Sequence, residues 1–256
     1  MSVNWPLVMV LFFLCIPGIF IAIKRLIFFL LPDNSEALKT RMSYFAIAQT
    51  LVMVFILCLS GSIVANATGL GAPILRGLLE GTASIRAIVP ILLPAFGYSL
   101  LNLFIFTFML QLLSRYSLQE NDRKIMRNLR KALGLDGCVL YGGVVEEVIA
   151  RWGLFNLAAF FMVIFNQGIS TNLVWLALVV SSLIFAVGQL PAYIAAGCTS
   201  SRTFIYSFVL LSTTQSILFG YVFWHYGLIA AIFSHMLFHL GWYVLEEKIN
   251  LAPFSK

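Results

Sequence analysis

Long apolar stretches recur along the chain, and they constrain its fold more than any other feature. Hydrophobic residues make up 61% of the 256 residues and charged residues only 10%, whereas a soluble domain carries about 25% charged residues. A helix of about 20 apolar residues crosses a bilayer with its backbone polar groups satisfied internally. The sequence therefore predicts an all-α, polytopic transmembrane helical bundle of about seven spans. We place them at 5–23, 43–65, 88–113, 137–165, 173–195, 203–222 and 227–245.

The basic residues favour one side of these spans. Thirteen of the 16 Lys and Arg residues fall at 24–42, 114–136, 196–202 and 248–256, which share a side if the spans alternate. Cytoplasmic loops carry such an excess. We therefore expect a multi-pass protein of the plasma (cell inner) membrane, with its N-terminus outside and its C-terminus in the cytoplasm. This asymmetry and contact with anionic lipid explain the net charge of +6, so no nucleic-acid partner is expected.

No repeat or low-complexity tract marks a second globular domain. The predicted organisation is a group of N-terminal transmembrane helices with a cytoplasmic basic loop at 1–136, core helices at 137–245, and a cytoplasmic tail at 246–256. Segment 69–87 is too polar to span, and its leucine spacing predicts a helix along the outer interface. The isolated cysteines are expected to be packing residues, not a disulfide frame or a zinc site. They are Cys15, Cys58, Cys138 and Cys198.

Three charged side chains interrupt the fourth apolar stretch: Glu146, Glu147 and Arg151. Each charge at a helix centre costs about 2.5–3.5 kcal/mol, so three cost about 8–10 kcal/mol. That cost is comparable to the net stability of a whole domain. Glu147 and Arg151 are four residues apart and share a helical face. They are predicted to form an ion pair that holds the helix.

Glu146 points to a different side of the same helix. Small residues share its face, namely Gly142, Gly143, Ala150 and Gly153, and small residues let a backbone or a water molecule approach. A carboxylate in apolar surroundings is a stronger base than one in water. We therefore predict that Glu146 faces a cavity and acts as a general base. An interhelical salt-bridge cluster in a transporter or scaffold is the alternative for the same three charges.

Two later spans carry polar groups at a similar depth. His235 and His239 are four residues apart in the last span, and Gln189 precedes Pro191 in the fifth. At 1.5 Å per residue, Glu146, Gln189 and His235 lie about 10–15 Å from the cytoplasmic boundary. If these helices pack together, their polar groups form one site.

These residues resemble the motifs of the CPBP family, also called Abi. That family contains the type II CAAX prenyl endopeptidases and bacteriocin-processing or self-immunity proteins. Glu146-Glu147-Val-Ile-Ala-Arg151 matches the family's EExxxR motif. Phe185-Ala-Val-Gly-Gln189 stands where the family has FxxxH, and His235-Met-Leu-Phe-His239 stands where it has HxxxN or HxxxD. The similarity covers about 137–245.

The resemblance implies an intramembrane endopeptidase acting on a membrane-anchored peptide or protein, with a cavity open to the cytoplasm. In such enzymes the first glutamate activates water, and the histidines and asparagine stabilise the oxyanion. The catalytic candidates are then Glu146, Glu147, Arg151, Gln189, His235 and His239. No cofactor is expected, although these enzymes have been labelled metalloproteases. His235, His239 and a glutamate are ligand types of catalytic zinc, so a zinc site is the minority alternative.

Two departures from the motifs leave other hypotheses open. Gln189 replaces a histidine, and His239 replaces Asn or Asp. An amide still donates an N–H to an oxyanion, but it is a poor zinc ligand. A catalytically inactive relative that serves as a membrane binding or immunity protein is the second hypothesis. A transporter with a buried ion pair is the third, and it predicts substrate flux without proteolysis.

Overall fold

The computed structural model describes residues 3–166, 168 and 170–251, without the side chains of 247–251. Seven helical stretches in this part of the chain are long and apolar enough to cross a membrane. The predicted polytopic helical bundle is therefore confirmed. The helices are α1 (Trp5–Leu30), α2 (Glu36–Thr68), α3 (Pro73–Leu79), α4 (Val89–Tyr116), α5 (Glu120–Gly137), α6 (Asn156–Asn166), α7 (Thr171–Ala195), α8 (Arg202–Tyr226) and α9 (Leu228–Leu251).

Two π-helical segments, Cys138–Val145 and Val148–Phe155, connect α5 to α6, and a 3₁₀ turn at Ile85–Ile88 precedes α4. The segment predicted to lie at the outer interface contains the short helix α3. At the other end of the chain, α9 extends into the predicted tail. Residues 252–256 of that tail lie outside the described residues.

The helices extend beyond the apolar runs because polar residues cap their ends. Helix α2 begins at Glu36, seven residues before the predicted span, because the Ser35 hydroxyl accepts a hydrogen bond from the Leu38 N–H at 3.3 Å. The negative charge of Glu36 in the first turn also interacts favourably with the positive end of the helix dipole and stabilises the start of the helix. Hydropathy alone measures where a helix is apolar, not where it ends.

The region predicted as a basic loop, 114–136, is mostly the amphipathic helix α5, so that prediction was wrong. Apolar side chains at Ile125, Met126, Leu129 and Leu133 recur at helical spacing between the basic residues. Leu129 is buried. A helix with one apolar face and many charges has a low mean hydropathy, so it resembles a loop in a search for apolar spans.

Helix α5 joins the fourth span at a sharp kink. Gly134 adopts φ 74° and ψ 164°, a conformation that favours glycine. The guanidinium of Arg25 in α1 fixes this kink, since its Nη1 donates to the carbonyl oxygen of Leu133 at 2.6 Å and to Asp136 Oδ1 at 2.5 Å. The kink separates the basic helix from the buried span that follows it.

The fourth span lies at the centre of the bundle. Its first π-helical segment packs against α1 and α9, and its second packs against α2. Trp152 in the second segment is 1% exposed and donates its indole N–H to the carbonyl oxygen of Cys58 at 3.0 Å. The charged residues of this span are therefore surrounded by protein, which lowers the cost of burying them.

Candidate active site

Glu146 and Glu147 lie at the junction between the two π-helical segments. A π-helix is rare, and where it occurs it is frequently near a functional site. Both glutamates have ordinary helical dihedral angles, so the backbone at the junction is unstrained. Because they are adjacent in the chain, their side chains point to different sides and contact different partners.

Glu147 is fully buried in a network of charged and polar groups. Its Oε2 lies 3.2 Å from Arg151 Nε, which confirms the predicted ion pair. Its Oε1 lies 2.7 Å from His235 Nδ1, a contact that helical spacing did not predict. A carboxylate only accepts hydrogen bonds, so Nδ1 of His235 carries a hydrogen and donates it to Glu147. Glu147 thereby orients the His235 ring and fixes Nδ1 as its donating nitrogen.

Arg151 is 2% exposed and is committed to structural contacts. Its Nη2 donates to the backbone carbonyl of Ser216 in α8 at 2.9 Å. Its guanidinium also lies over the rings of Phe185 and Phe219, at 5.8 and 5.7 Å from their centroids. Arg151, one of the catalytic candidates, does not line the cavity described below. Its position suits a residue that holds α8 and the glutamates together.

Glu146 faces a cavity and has a different set of partners. Gln189 Nε2 donates to Glu146 Oε1 at 3.2 Å. The hydroxyl of Ser212 in α8 donates to Gln189 Oε1 at 2.8 Å. Ser212 was not predicted, because a single serine in an apolar helix carries no spacing signal that marks a site.

The cavity has a volume of about 240 Å³, and four candidate side chains line it: Glu146, Gln189, His235 and His239. They come from the fourth span, α7 and α9, so three helices bring their polar groups together as depth predicted. The cavity also touches the C-terminal half of α4 and the middle of α9. Its apolar wall includes Phe106, Leu110, Phe208, Leu211, Phe238 and Trp242, and Arg123, Arg127 and Arg130 of α5 lie at its boundary.

His239 lies against His235 inside this cavity. The two rings stack with centroids 4.7 Å apart and an angle of 19°, and Phe219 stacks on the ring of His235 with centroids 4.0 Å apart. Neither ring nitrogen of His239 has a hydrogen-bond partner among the described residues, and both are shielded from solvent. A neutral imidazole carries one N–H, so His239 brings an unused donor and an unused acceptor to the cavity.

The small residues on the fourth span do not all share the cavity with Glu146. Gly142 lines it, but Gly143 packs against Met236 of α9 and Gly153 packs against Leu57 of α2. Gly143 therefore lets another backbone approach closely, as predicted for a small residue of this helix, but neither Gly143 nor Gly153 lines the cavity. The π-helical segments distribute residues around the axis differently from the α-helix that the prediction assumed.

These side chains do not form a metal site. No group of three His, Cys, Asp or Glu side chains in the described part of the chain is placed to hold a metal ion. His239 stacks on His235 instead of converging with it on a point. The zinc alternative does not fit this arrangement, and the absence of a cofactor stays a prediction.

The four cysteines are buried and free, as expected of packing residues. Cys198 lies in the connection between α7 and α8, where burial raises the pKa of its thiol to about 11. The thiol is therefore protonated at neutral pH and is a weak nucleophile. The cysteines give no competing candidate for the reacting group.

Comparison with known proteins agrees with the motif resemblance. Residues 131–241 match the family model described as type II CAAX prenyl endopeptidase Rce1-like. No curated protein and no solved structure gives a significant match. The matched range contains all six candidate residues. Over residues 131–241, the chain is therefore similar to the type II CAAX protease-like membrane proteins of the CPBP family.

Proposed function

We propose that the protein is an intramembrane endopeptidase that hydrolyses a peptide bond of a membrane-associated peptide or protein. One observation supports this most strongly: side chains from three different spans line one cavity within the membrane-spanning part of the bundle. A buried ion pair alone would serve a transporter or scaffold. A carboxylate, an amide and two imidazoles around a shared space suit hydrolysis better.

Glu146 is the proposed general base. A water molecule between Glu146 and the scissile carbonyl gives its proton to the carboxylate as its oxygen attacks the carbonyl carbon. The C–N bond of the tetrahedral intermediate then breaks, and the proton passes from Glu146 to the departing nitrogen. The low polarity of the cavity wall strengthens the carboxylate as a base and increases the effect of fixed donors.

His239 and Gln189 are the proposed oxyanion donors. The unpartnered N–H of a neutral His239 is available to the developing negative charge. The Gln189 amide nitrogen carries two hydrogens, and Glu146 takes only one of them. His235 donates Nδ1–H to Glu147, so its Nε2 accepts, and it orients water or substrate instead. Glu147 and Arg151 act through His235 and the surrounding helices.

We also propose the membrane orientation that the basic residues predict. The cavity lies beside the C-terminal end of α4 and extends to the point where α5 meets the fourth span. Ten basic residues fall at 24–42 and 114–136, on the same side as this end of the bundle. With the N-terminus outside and the C-terminus in the cytoplasm, the cavity opens near the cytoplasmic leaflet of the inner membrane. Substrates would enter from that leaflet.

A second candidate function has its own supporting observation. Gln189 is bonded at both ends, to Glu146 and to Ser212, so one oxygen of Glu146 is already occupied. A protein that binds a membrane peptide in this cavity without cleaving it would tolerate that arrangement. In this case Glu146→Ala would keep the cellular function, whereas an enzyme would lose it.

Cleavage by the purified protein tests the leading proposal. The wild type, Glu146→Gln and the exposed control Glu36→Gln are reconstituted into proteoliposomes with prenylated and unprenylated membrane-anchored peptides, and new termini are identified by mass spectrometry. Replacing a catalytic acid–base group lowers the rate by about 10²–10⁴-fold, so Glu146→Gln is expected to lose that much. Equal rates for Glu146→Gln and wild type would show that Glu146 is not the base.

A further inference from the structure

Ser212, Gln189 and Glu146 form a hydrogen-bonded chain across three spans. The Ser212 hydroxyl donates to Gln189 Oε1 at 2.8 Å, and Gln189 Nε2 donates to Glu146 Oε1 at 3.2 Å. We refer to this chain of contacts as the serine–amide link. All three residues line the cavity, so the link lies beside the reacting atoms.

Chemistry allows only one orientation of the Gln189 amide in this link. An ionised carboxylate accepts hydrogen bonds and cannot donate, so the NH₂ group of Gln189 must face Glu146. The amide oxygen then faces Ser212, which satisfies it with a hydroxyl hydrogen. Without that hydroxyl, the amide oxygen would lack a partner in apolar surroundings, and the amide would gain by rotating away from Glu146.

Ser212 also differs from several threonines in the middle of the spans. Thr50, Thr107 and Thr214 each donate to the backbone carbonyl four residues earlier in their own helix. That local bond is the usual outcome for a hydroxyl in a helix. Ser212 instead donates to a side chain on a neighbouring helix, the one that carries Gln189.

We infer that Ser212 is a positioning residue for hydrolysis: it orients the Gln189 amide, which in turn holds one oxygen of Glu146 and leaves the other free for water. The inference rests on the proposed function, in which Glu146 is the base. It assigns a role to a residue that lies outside the three motifs. It also explains how an amide serves where the motif has a histidine, because an amide needs a partner to fix which end faces the carboxylate.

Steady-state kinetics of three variants tests this role. Ser212→Ala removes the hydroxyl, Ser212→Thr keeps it, and Ser207→Ala is the matched control, since Ser207 is buried in the same helix but does not line the cavity. Ser212→Ala is expected to lower kcat about 3- to 10-fold, the effect of one hydrogen bond, with KM within about twofold of wild type. Ser212→Thr and Ser207→Ala should retain the wild-type kcat.

A stability measurement examines the same link without any substrate. Ser212→Ala, Gln189→Leu and the double variant are unfolded by denaturant in detergent micelles. The two single changes should be non-additive, with a coupling of about 3- to 10-fold in the unfolding equilibrium constant. Additive effects, a wild-type kcat for Ser212→Ala, or equal losses for Ser212→Ala and Ser212→Thr would each overturn the inference. A wild type that cleaves no peptide would overturn the proposed function instead. The non-additivity of the two variants in unfolding would then be the remaining test of the serine–amide link.

Discussion

At Gly142, the absence of a side chain makes room for the ring of His239. A Cβ built on Gly142 would overlap His239 Nε2, and both residues line the cavity. Gly142→Ala should therefore displace the imidazole that is proposed to meet the oxyanion. Removing one oxyanion donor costs about 10²–10³-fold in kcat, and a loss of that size is expected, measured with a peptide that the wild type cleaves.

Gly97→Ala is the matched control for this residue. Gly97 lies in helix α4 with open space where its Cβ would be, so alanine there should leave activity unchanged and slightly favour the helix. Thermal unfolding in detergent establishes that both variants are folded. A folded Gly142→Ala protein with the wild-type kcat would show that the position of the His239 ring does not matter.

At the scale of the element, a buried carboxylate attaches the start of helix α5 to the rest of the bundle. Asp122 is 1% exposed and accepts hydrogen bonds from the backbone N–H and the hydroxyl of Thr199, at 2.8 and 2.9 Å. Thr199 follows α7, so this carboxylate fastens the start of α5 to the α7–α8 connection. Because α5 also borders the cavity, its attachment affects access to the site.

Hydrogen exchange measures how firmly α5 is attached. Asp122→Ala leaves the Thr199 N–H without its acceptor, which should weaken the local attachment by about 1–3 kcal/mol. We expect faster amide exchange across α5 and unchanged exchange in the fourth span. Glu120→Ala is the control, since Glu120 is exposed in the same first turn. Equal exchange in α5 for Asp122→Ala and Glu120→Ala would contradict this account of the attachment.

At the scale of the whole molecule, the sequence predicts two kinds of feature. One depends on the free energy of transferring side chains from water into the bilayer, and the other depends on the spacing of residues along a helix. Apolar runs located the spans, and the Glu147–Arg151 spacing predicted their ion pair. Similar depths in three helices indicated that Glu146, Gln189 and His235 would meet. These predictions succeeded because the free-energy cost of placing a polar group in a bilayer is large enough to determine where in the bundle that group lies.

The same reasoning failed where structure depends on specific partners. Nothing in the apolar pattern distinguishes π-helical from α-helical winding, so it does not show that Gly143 and Gly153 lie away from the cavity. The charges of helix α5 outweigh its apolar stripe, so hydropathy does not distinguish this helix from a loop. The contacts of Glu147 with His235 and of Ser212 with Gln189 depend on how helices are rotated against each other. Side-chain packing sets that rotation, and hydropathy does not report it.

The central claim is that Glu146 makes a water molecule nucleophilic inside the bundle. Cleavage in water enriched in ¹⁸O, under single-turnover conditions with enzyme in excess over peptide, tests it most directly by mass spectrometry of the new carboxyl terminus. A general base leads to one ¹⁸O atom in that carboxyl group in the first turnover, because the attacking oxygen comes from solvent. A first-turnover product that carries only ¹⁶O would contradict the claim, because the attacking oxygen would then belong to the protein.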